Sequence, residues 1–258
     1  MKLYQVDAFA EHVFSGNPAA VVPLQEWLPD AVMQNIAMEN NLSETAFFIP
    51  KGDDYHIRWF TPSTEVNLCG HATLASAHVL FSHLGYQSQS ITFHSKSGLL
   101  KVTRNESLII LDFPASDLVE AEFPENTEHI LGVMPEICIQ GSEDLMMIFK
   151  HEQDIKNLQP DFTAIGRLNY RGLIATAPSK EFDFVSRFFA PAVGVNEDPV
   201  TGSAHTVLIP YWAERLNKTE MVAKQISSRG GIIHCRHRGD RVDIGGYATT
   251  YLIGEIAI

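Results

Sequence analysis

Two kinds of hydrophobic patterning run along the chain, and each occurs twice. Short runs of strand length, such as Glu44-Thr45-Ala46-Phe47-Phe48, residues 55–60, Leu173-Ile174-Ala175-Thr176-Ala177, and 101–104 with 107–113, are rich in β-branched and aromatic residues, the composition that suits a pleated surface. Among them lie two segments of helix length. Residues 72–84 place Leu74, His78 and Phe81 on one side at helical spacing, add Val79 and Leu80, and stop at Gly85. This segment is apolar nearly all round, which predicts a buried helix. Residues 204–216 carry Val207, Leu208, Ile209, Tyr211 and Trp212, but Pro210 takes an amide out of the ladder. A kink or a restart is expected there.

Comparing the chain with itself at about half its length aligns four features in the same order. Pro29-Asp30 and Pro160-Asp161 each open a helix-like segment. Arg58-Trp59-Phe60-Thr61-Pro62 answers Arg187-Phe188-Phe189-Ala190-Pro191. Glu65-Val66-Asn67-Leu68-Cys69-Gly70-His71-Ala72 answers Glu197-Asp198-Pro199-Val200-Thr201-Gly202-Ser203-Ala204, each leading into one of the apolar helical segments. Hairpins follow, beginning at Gly98-Leu99-Leu100 and turning at Asn105-Glu106, and beginning at Gly231-Ile232-Ile233 and turning at Gly239-Asp240. Two similar lobes are expected, residues 1–117 and 118–258, with the seam in the acidic stretch 116–126 and the last strand free to return to the first lobe.

Composition narrows the function classes. The 258 residues hold 19 basic and 31 acidic side chains, a net charge of −12 without any Lys/Arg-rich run. Nucleic acid and anionic membranes are therefore poor partners. The apolar and charged fractions, 45% and 19%, are those of a globular protein. Cys69, Cys138 and Cys235 are widely spaced and odd in number, so neither a disulfide framework nor a structural zinc site is expected. The opening residues have no signal-like apolar stretch, and no run approaches ~20 apolar residues. A cytosolic, soluble enzyme is the expectation.

The chemistry concentrates at the two helix starts. A glycine leading into a helix leaves backbone N–H groups unpaired in the first turn, where they and the helix dipole favour an anion. Gly70-His71 and Gly202-Ser203 both do this. If the two starts serve one cleft, they form a site for a small carboxylate. The plainer alternative is two capped buried helices, with Ser203 an ordinary N-cap. No GxGxxG, GxxxxGK[ST], GxSxG or HExxH pattern is present. His234-Cys235-Arg236-His237 alternates as a polar strand face would, so no metal site is assigned.

Several segments together carry a resemblance: Asp7-Ala8-Phe9, Phe14-Ser15-Gly16-Asn17-Pro18-Ala19-Ala20-Val21, Asn41-Leu42-Ser43-Glu44-Thr45, Cys69-Gly70-His71-Ala72-Thr73 and Glu197 through Asp198-Pro199-Val200-Thr201-Gly202-Ser203-Ala204-His205. Jointly they resemble the PhzF family of phenazine-biosynthesis-like isomerases. The resemblance implies an α+β, diaminopimelate epimerase-like fold: two pseudo-symmetric lobes, each a curled, mostly antiparallel sheet around a central helix, with the site between them. It also implies proton transfer without a cofactor, a small-molecule carboxylate as substrate, and a homodimer. By motif, Glu44 is the acid/base, with His71 and Asp198 completing the catalytic set; Gly70, Gly202 and Ser203 bind substrate.

The residues themselves favour one outcome over another. In the related epimerases two cysteines exchange the proton, whereas this chain has Cys69 at one position and Thr201 at the other. Threonine is too weak an acid for that exchange. At the repeat offset Glu44 falls opposite Leu173, not a second acid. One base suits removal and return of a proton on one face, a double-bond shift. An epimerase or racemase using Glu44 with Cys69 or His71 stays open, as does a non-catalytic protein that binds small anions.

Overall fold

The computed structural model describes residues 1–258 as two compact units: Met1–Asp112 with Ile244–Ile258, and Phe113–Asp243. The first contains β1 (Lys2–Ala8), β2 (Asn17–Pro23), α1 (Asp30–Asn40), β3 (Glu44–Lys51), β4 (Asp54–Phe60), β5 (Glu65–Val66), α2 (Gly70–His83), β6 (Ser90–Ser95) and β7 (Gly98–Asn105). The chain leaves it within β8 (Leu108–Pro114). The second contains β9 (Val119–Glu120), α3 (Thr127–Leu131), β10 (Ile137–Gln140), β11 (Asp144–Ile148), α4 (Glu152–Asn157) and α5 (Phe162–Ile165). It continues with β12 (Gly172–Pro178), β13 (Phe184–Phe189), α6 (His205–Leu216), β14 (Glu220–Gln225) and β15 (Gly231–His237). The chain returns within β16 (Arg241–Gly246), and β17 (Ala248–Glu255) completes the first unit by pairing antiparallel with β1.

The duplication read from sequence is a duplication of strand pairing. In the first unit β1 and β2 pair antiparallel, β2 and β3 parallel, β3 and β4 antiparallel, β4 and β6 parallel, β6 and β7 antiparallel. In the second, β10 and β11, β11 and β12, β12 and β13, β13 and β14, and β14 and β15 repeat that alternation. The sheets are therefore mixed, and the class is α+β as expected. The parallel steps are where a helix intervenes between strands. α1 and α2 occupy them in the first unit, and the short α4 and α5 with α6 do so in the second.

Helix α2 packs against β1, β2, β3 and β17, burying Leu74, Ala75, Ala77, Val79 and Leu80. Each fully buried leucine or valine contributes about 1.5–3 kcal/mol. Its start is therefore fixed by core packing. Helix α6 runs through Pro210 without the restart that is one of the two expected outcomes there. A proline at that position leaves the carbonyl of Thr206 without its amide, and the Ser116 amide donates to that carbonyl at 3.0 Å. The freed acceptor is satisfied from outside the helix, so the helix continues. No helix of the chain is long and apolar enough to cross a membrane.

One repeated interaction ties each sheet to its helix start. Arg58 on β4 donates through Nε and Nη2 to the two carboxylate oxygens of Glu65 at 2.8 and 2.9 Å. Arg187 on β13 does the same to Glu197 at 2.7 and 2.9 Å. Glu65 stands five residues before Gly70, the first residue of α2, and Glu197 five residues before Gly202, in the turn that leads into α6. The Arg58 guanidinium, aided by Lys96 and opposed by burial, holds Glu65 at about 2, against an ordinary 4.5. Folded-state depression of a carboxylate means stability that is complete above about 4.5 and lost as pH falls toward 2. The gap corresponds to about 3 kcal/mol. Urea midpoints measured from pH 6 to pH 2.5 are expected to fall more steeply for the native chain than for Arg58→Met; equal slopes would show that this pair does not drive acid sensitivity.

Candidate functional site

In the first unit the site begins with a loop bent hard against its own strand. Gly16 has φ of +66°, and a Cβ there would lie 2.2 Å from the Ala8 carbonyl oxygen, so only glycine fits. Buried Asp7 accepts the Phe14 amide at 2.9 Å and holds the loop. This brings Asn17, the first residue of β2, to the start of α2, where its Nδ2 lies 3.3 Å from His71 Nδ1.

His71 is the second residue of α2 and is buried. Its Nδ1 is also 3.5 Å from the Cys69 sulfur. Its Nε2 lies 3.2 Å from Glu44 Oε2, although the two atoms are not aligned for a hydrogen bond and both are otherwise unpartnered and buried. Glu44 reaches this point because it is the first residue of β3, paired with Ala19 across a parallel step. Burial by itself pulls the His71 pKa down, but the Cys69 sulfur and the Glu44 carboxylate outweigh it and hold the ring well above its usual value. We attribute that rise to Glu44, because the thiol is not ionised: burial first, and then Glu44, push Cys69 up to about 11. The pair is a carboxylate facing an imidazole, ready to share one proton.

In the second unit, Asp198 accepts from the Thr201 hydroxyl at 2.5 Å, while buried Gln225 receives the Thr201 amide at 2.9 Å and donates to the Asp198 carbonyl at 2.7 Å. The segment before Gly202 is thus rigid. Ser203 does not cap α6; its Oγ accepts instead from Arg171 Nη1 at 3.0 Å. The Arg171 guanidinium stacks over the Phe188 ring at 5.4 Å. Its Nε donates to Asp144 at 2.9 Å, and Nη2 donates to the other carboxylate oxygen. With Arg171 donating to Ser203 Oγ, the serine's own proton is free to point elsewhere. His205 is buried, holds the Thr201 carbonyl through Nδ1 at 2.8 Å, and is pushed down to about 4 by burial. It is a neutral structural histidine.

Of the residues singled out in the sequence, Glu44, Gly70 and His71 cluster with Cys69 in the first unit, and Asp198, Gly202 and Ser203 lie together at the start of α6 in the second. Asn17, Arg171, Asp144 and Gln225 were not singled out as site residues. Asn17 alone had a local signal, in the Gly16-Asn17-Pro18 turn.

Strand register revises the repeat comparison at Glu44. Phe47 pairs with Arg58, and Ala175 pairs with Arg187. These two arginines are equivalent, so Glu44 corresponds to Gly172, not Leu173. A Cβ at Gly172 would sit 2.4 Å from Phe188 Cζ and 3.0 Å from the Phe189 carbonyl oxygen. Phe188 is buried and covered by Arg171, so it has little room to move. Gly172→Ala is expected to cost about 1–3 kcal/mol by overpacking, read as a lower urea midpoint at unchanged slope; an unchanged midpoint would mean that the ring gives way freely.

The PhzC-PhzF family model, described as "Phenazine biosynthesis-like protein", matches residues 6–254. An uncharacterized isomerase of Pseudomonas aeruginosa is 50% identical over 258 residues, covering 100% of this chain and 99% of that protein. The crystal structure of a PhzF-family protein from Enterococcus faecalis superposes with a TM-score of 0.97 at 48% identity, covering 100% of this chain and 99% of that one. A probable proline racemase from Agrobacterium radiobacter, at 10% identity and TM-score 0.66 over 100% of this chain and 93% of its own, shares the fold. The α+β, epimerase-like fold is thus established, and with the match running nearly end to end the chain belongs to the phenazine biosynthesis-like PhzC-PhzF family and is an isomerase.

Proposed function

We propose that the protein shifts a double bond in a small carboxylate-bearing metabolite by proton transfer through Glu44, with no cofactor. The observation that carries this reading is the singleness of the acid: Glu44 has Gly172 as its counterpart, and the Cys69 thiol stays protonated, held up to about 11. In this reading the Glu44 carboxylate removes a proton from a carbon next to the substrate's carbonyl or carboxyl group. The electron pair moves into an enol-like system, and protonated Glu44 returns the proton to another carbon on the same face. Backbone N–H groups at Gly70-His71 hold the oxygens on which charge develops, and the Gly202-Ser203 segment of the second unit, with the Ser203 hydroxyl, offers donors of the same kind. His71, with Nε2 3.2 Å from Glu44 Oε2, places an imidazole beside the carboxylate and keeps it in position; Asp198 fixes the approach to the second helix start.

Small 2-oxo, β,γ-unsaturated and amino carboxylates incubated with the protein in deuterium oxide provide the test. Uptake of deuterium at one carbon with a moved double bond, seen by NMR, is the expected result. Exchange with unchanged connectivity and an inverted centre would replace this reading with an epimerase. Tight binding of a carboxylate without any exchange would replace it with a non-catalytic anion-binding protein.

A further inference from the structure

We infer that Glu44, Cys69 and His71 form a binding site for a thiophilic divalent cation of the zinc type, whose occupation shuts off the proton transfer. The effect on activity rests on the function proposed for Glu44; the binding does not. One ligand atom from each of the three side chains lies within 4.8 Å of the others. Zinc bonds of ~2.0–2.1 Å to nitrogen and oxygen in a tetrahedron place those two ligands ~3.3–3.4 Å apart. Glu44 Oε2 and His71 Nε2 are 3.2 Å apart. Both atoms are buried and make no hydrogen bond, so a cation that displaces the imidazole proton would satisfy two polar atoms that the protein leaves unpartnered. The sulfur stands 3.5 Å from the ring's other nitrogen, Nδ1, so the Cys69 side chain or the imidazole has to turn for all three ligands to meet one ion.

The donor set selects the ion. One thiolate, one imidazole and one carboxylate suit zinc or cadmium and disfavour magnesium and calcium, which take oxygen. Asn17 Nδ2 lies 3.3 Å from His71 Nδ1, so its amide has to turn its oxygen toward the ring to accept the N–H of a metal-bound imidazole. The duplicated half offers nothing comparable: Thr201, Ser203 and Gly172 stand in the equivalent places. On binding, the Cys69 thiol and the His71 imidazolium each release a proton to solvent, and the metal takes their place. Glu44 and His71 are then coordinated and can neither take nor position a substrate proton.

The test uses cobalt(II) as an optical probe on the full chain without substrate. Titration is expected to give a thiolate-to-cobalt charge-transfer band at one equivalent, displaced by zinc. Cys69→Ser, a favourable residue at a helix N-cap, is expected to keep its thermal midpoint, to lose the band, and to bind zinc at least about tenfold more weakly by calorimetry. In the exchange assay zinc is expected to inhibit the native chain and spare Cys69→Ser, whose exchange rate in the presence of chelator matches the native one. No band in the native chain would overturn the inference, as would a band that persists in Cys69→Ser. A native band without any exchange activity in chelator would leave the metal site standing and count only against the proposed proton transfer.

Discussion

Glu44→Gln is expected to slow solvent deuterium exchange by about 10²–10⁴-fold, the range a positioned general base contributes, while leaving ligand affinity within a few-fold. The amide keeps the size and the hydrogen-bonding reach of the carboxylate but cannot accept a proton at neutral pH. Folding is expected to be unaffected, because Glu44 sits at the first position of β3 and its buried Oε2 makes no hydrogen bond that the strand depends on. His71 alone cannot replace it. The ring is held well above its usual pKa by the carboxylate beside it, and in the glutamine variant that support is gone, so the His71 titration, followed by its ring-proton NMR shift, is expected to move downward. Exchange retained at more than about a tenth of the native rate would remove Glu44 from the chemistry.

Arg171→Met carries the second large effect, and it separates two roles. Asp144 is only 2% exposed, and its carboxylate is held by the Arg171 fork against burial, which pushes its pKa up. Removing one partner of such a pair costs about 3–5 kcal/mol, so the melting midpoint is expected to drop by on the order of 10 °C. Adding Asp144→Asn removes the stranded charge and is expected to recover most of that loss. Catalysis is expected to respond differently. Arg171 donates to Ser203 Oγ, leaving the serine proton to donate to a substrate oxygen; without it the hydroxyl loses its fixed direction. The double variant is therefore expected to be stable yet to show a raised KM, with Ser203→Ala adding little further. Recovery of both stability and KM in the double variant would make Arg171 purely structural.

Much of this arrangement was legible in the residues. The paired helix starts, the two hairpins and the two Arg-Phe/Trp-Phe segments are local patterns, and local patterns survive in a sequence. The buried helix at Gly70–His83 follows from its unbroken apolar surface. What could not be read was register between strands far apart in the chain. Leu173 was a reasonable counterpart for Glu44 from spacing alone, and only the pairing of Ala175 with Arg187 moves the comparison to Gly172. Arg171 was overlooked for the same reason: its significance comes from Asp144 on a neighbouring parallel strand and from Ser203 across a long connection. At Pro210 the local rule holds, since the helix loses its own bond there; Ser116, far away in sequence, supplies the replacement that lets the helix continue without a restart.

The Phe188 ring has a consequence for how this protein can change over generations. It fills the volume that any side chain at Gly172 would need, and the Arg171 guanidinium lies on top of it. A descendant that gained an acid at the position equivalent to Glu44 would need a smaller residue at Phe188 and an acid at Gly172 together, since the acid alone clashes and the smaller residue alone leaves a cavity beneath Arg171. Each single step loses stability before the pair gains anything. Packing of this kind works as a ratchet: a ring that occupies the space at Gly172 keeps that position of the second half without a side chain.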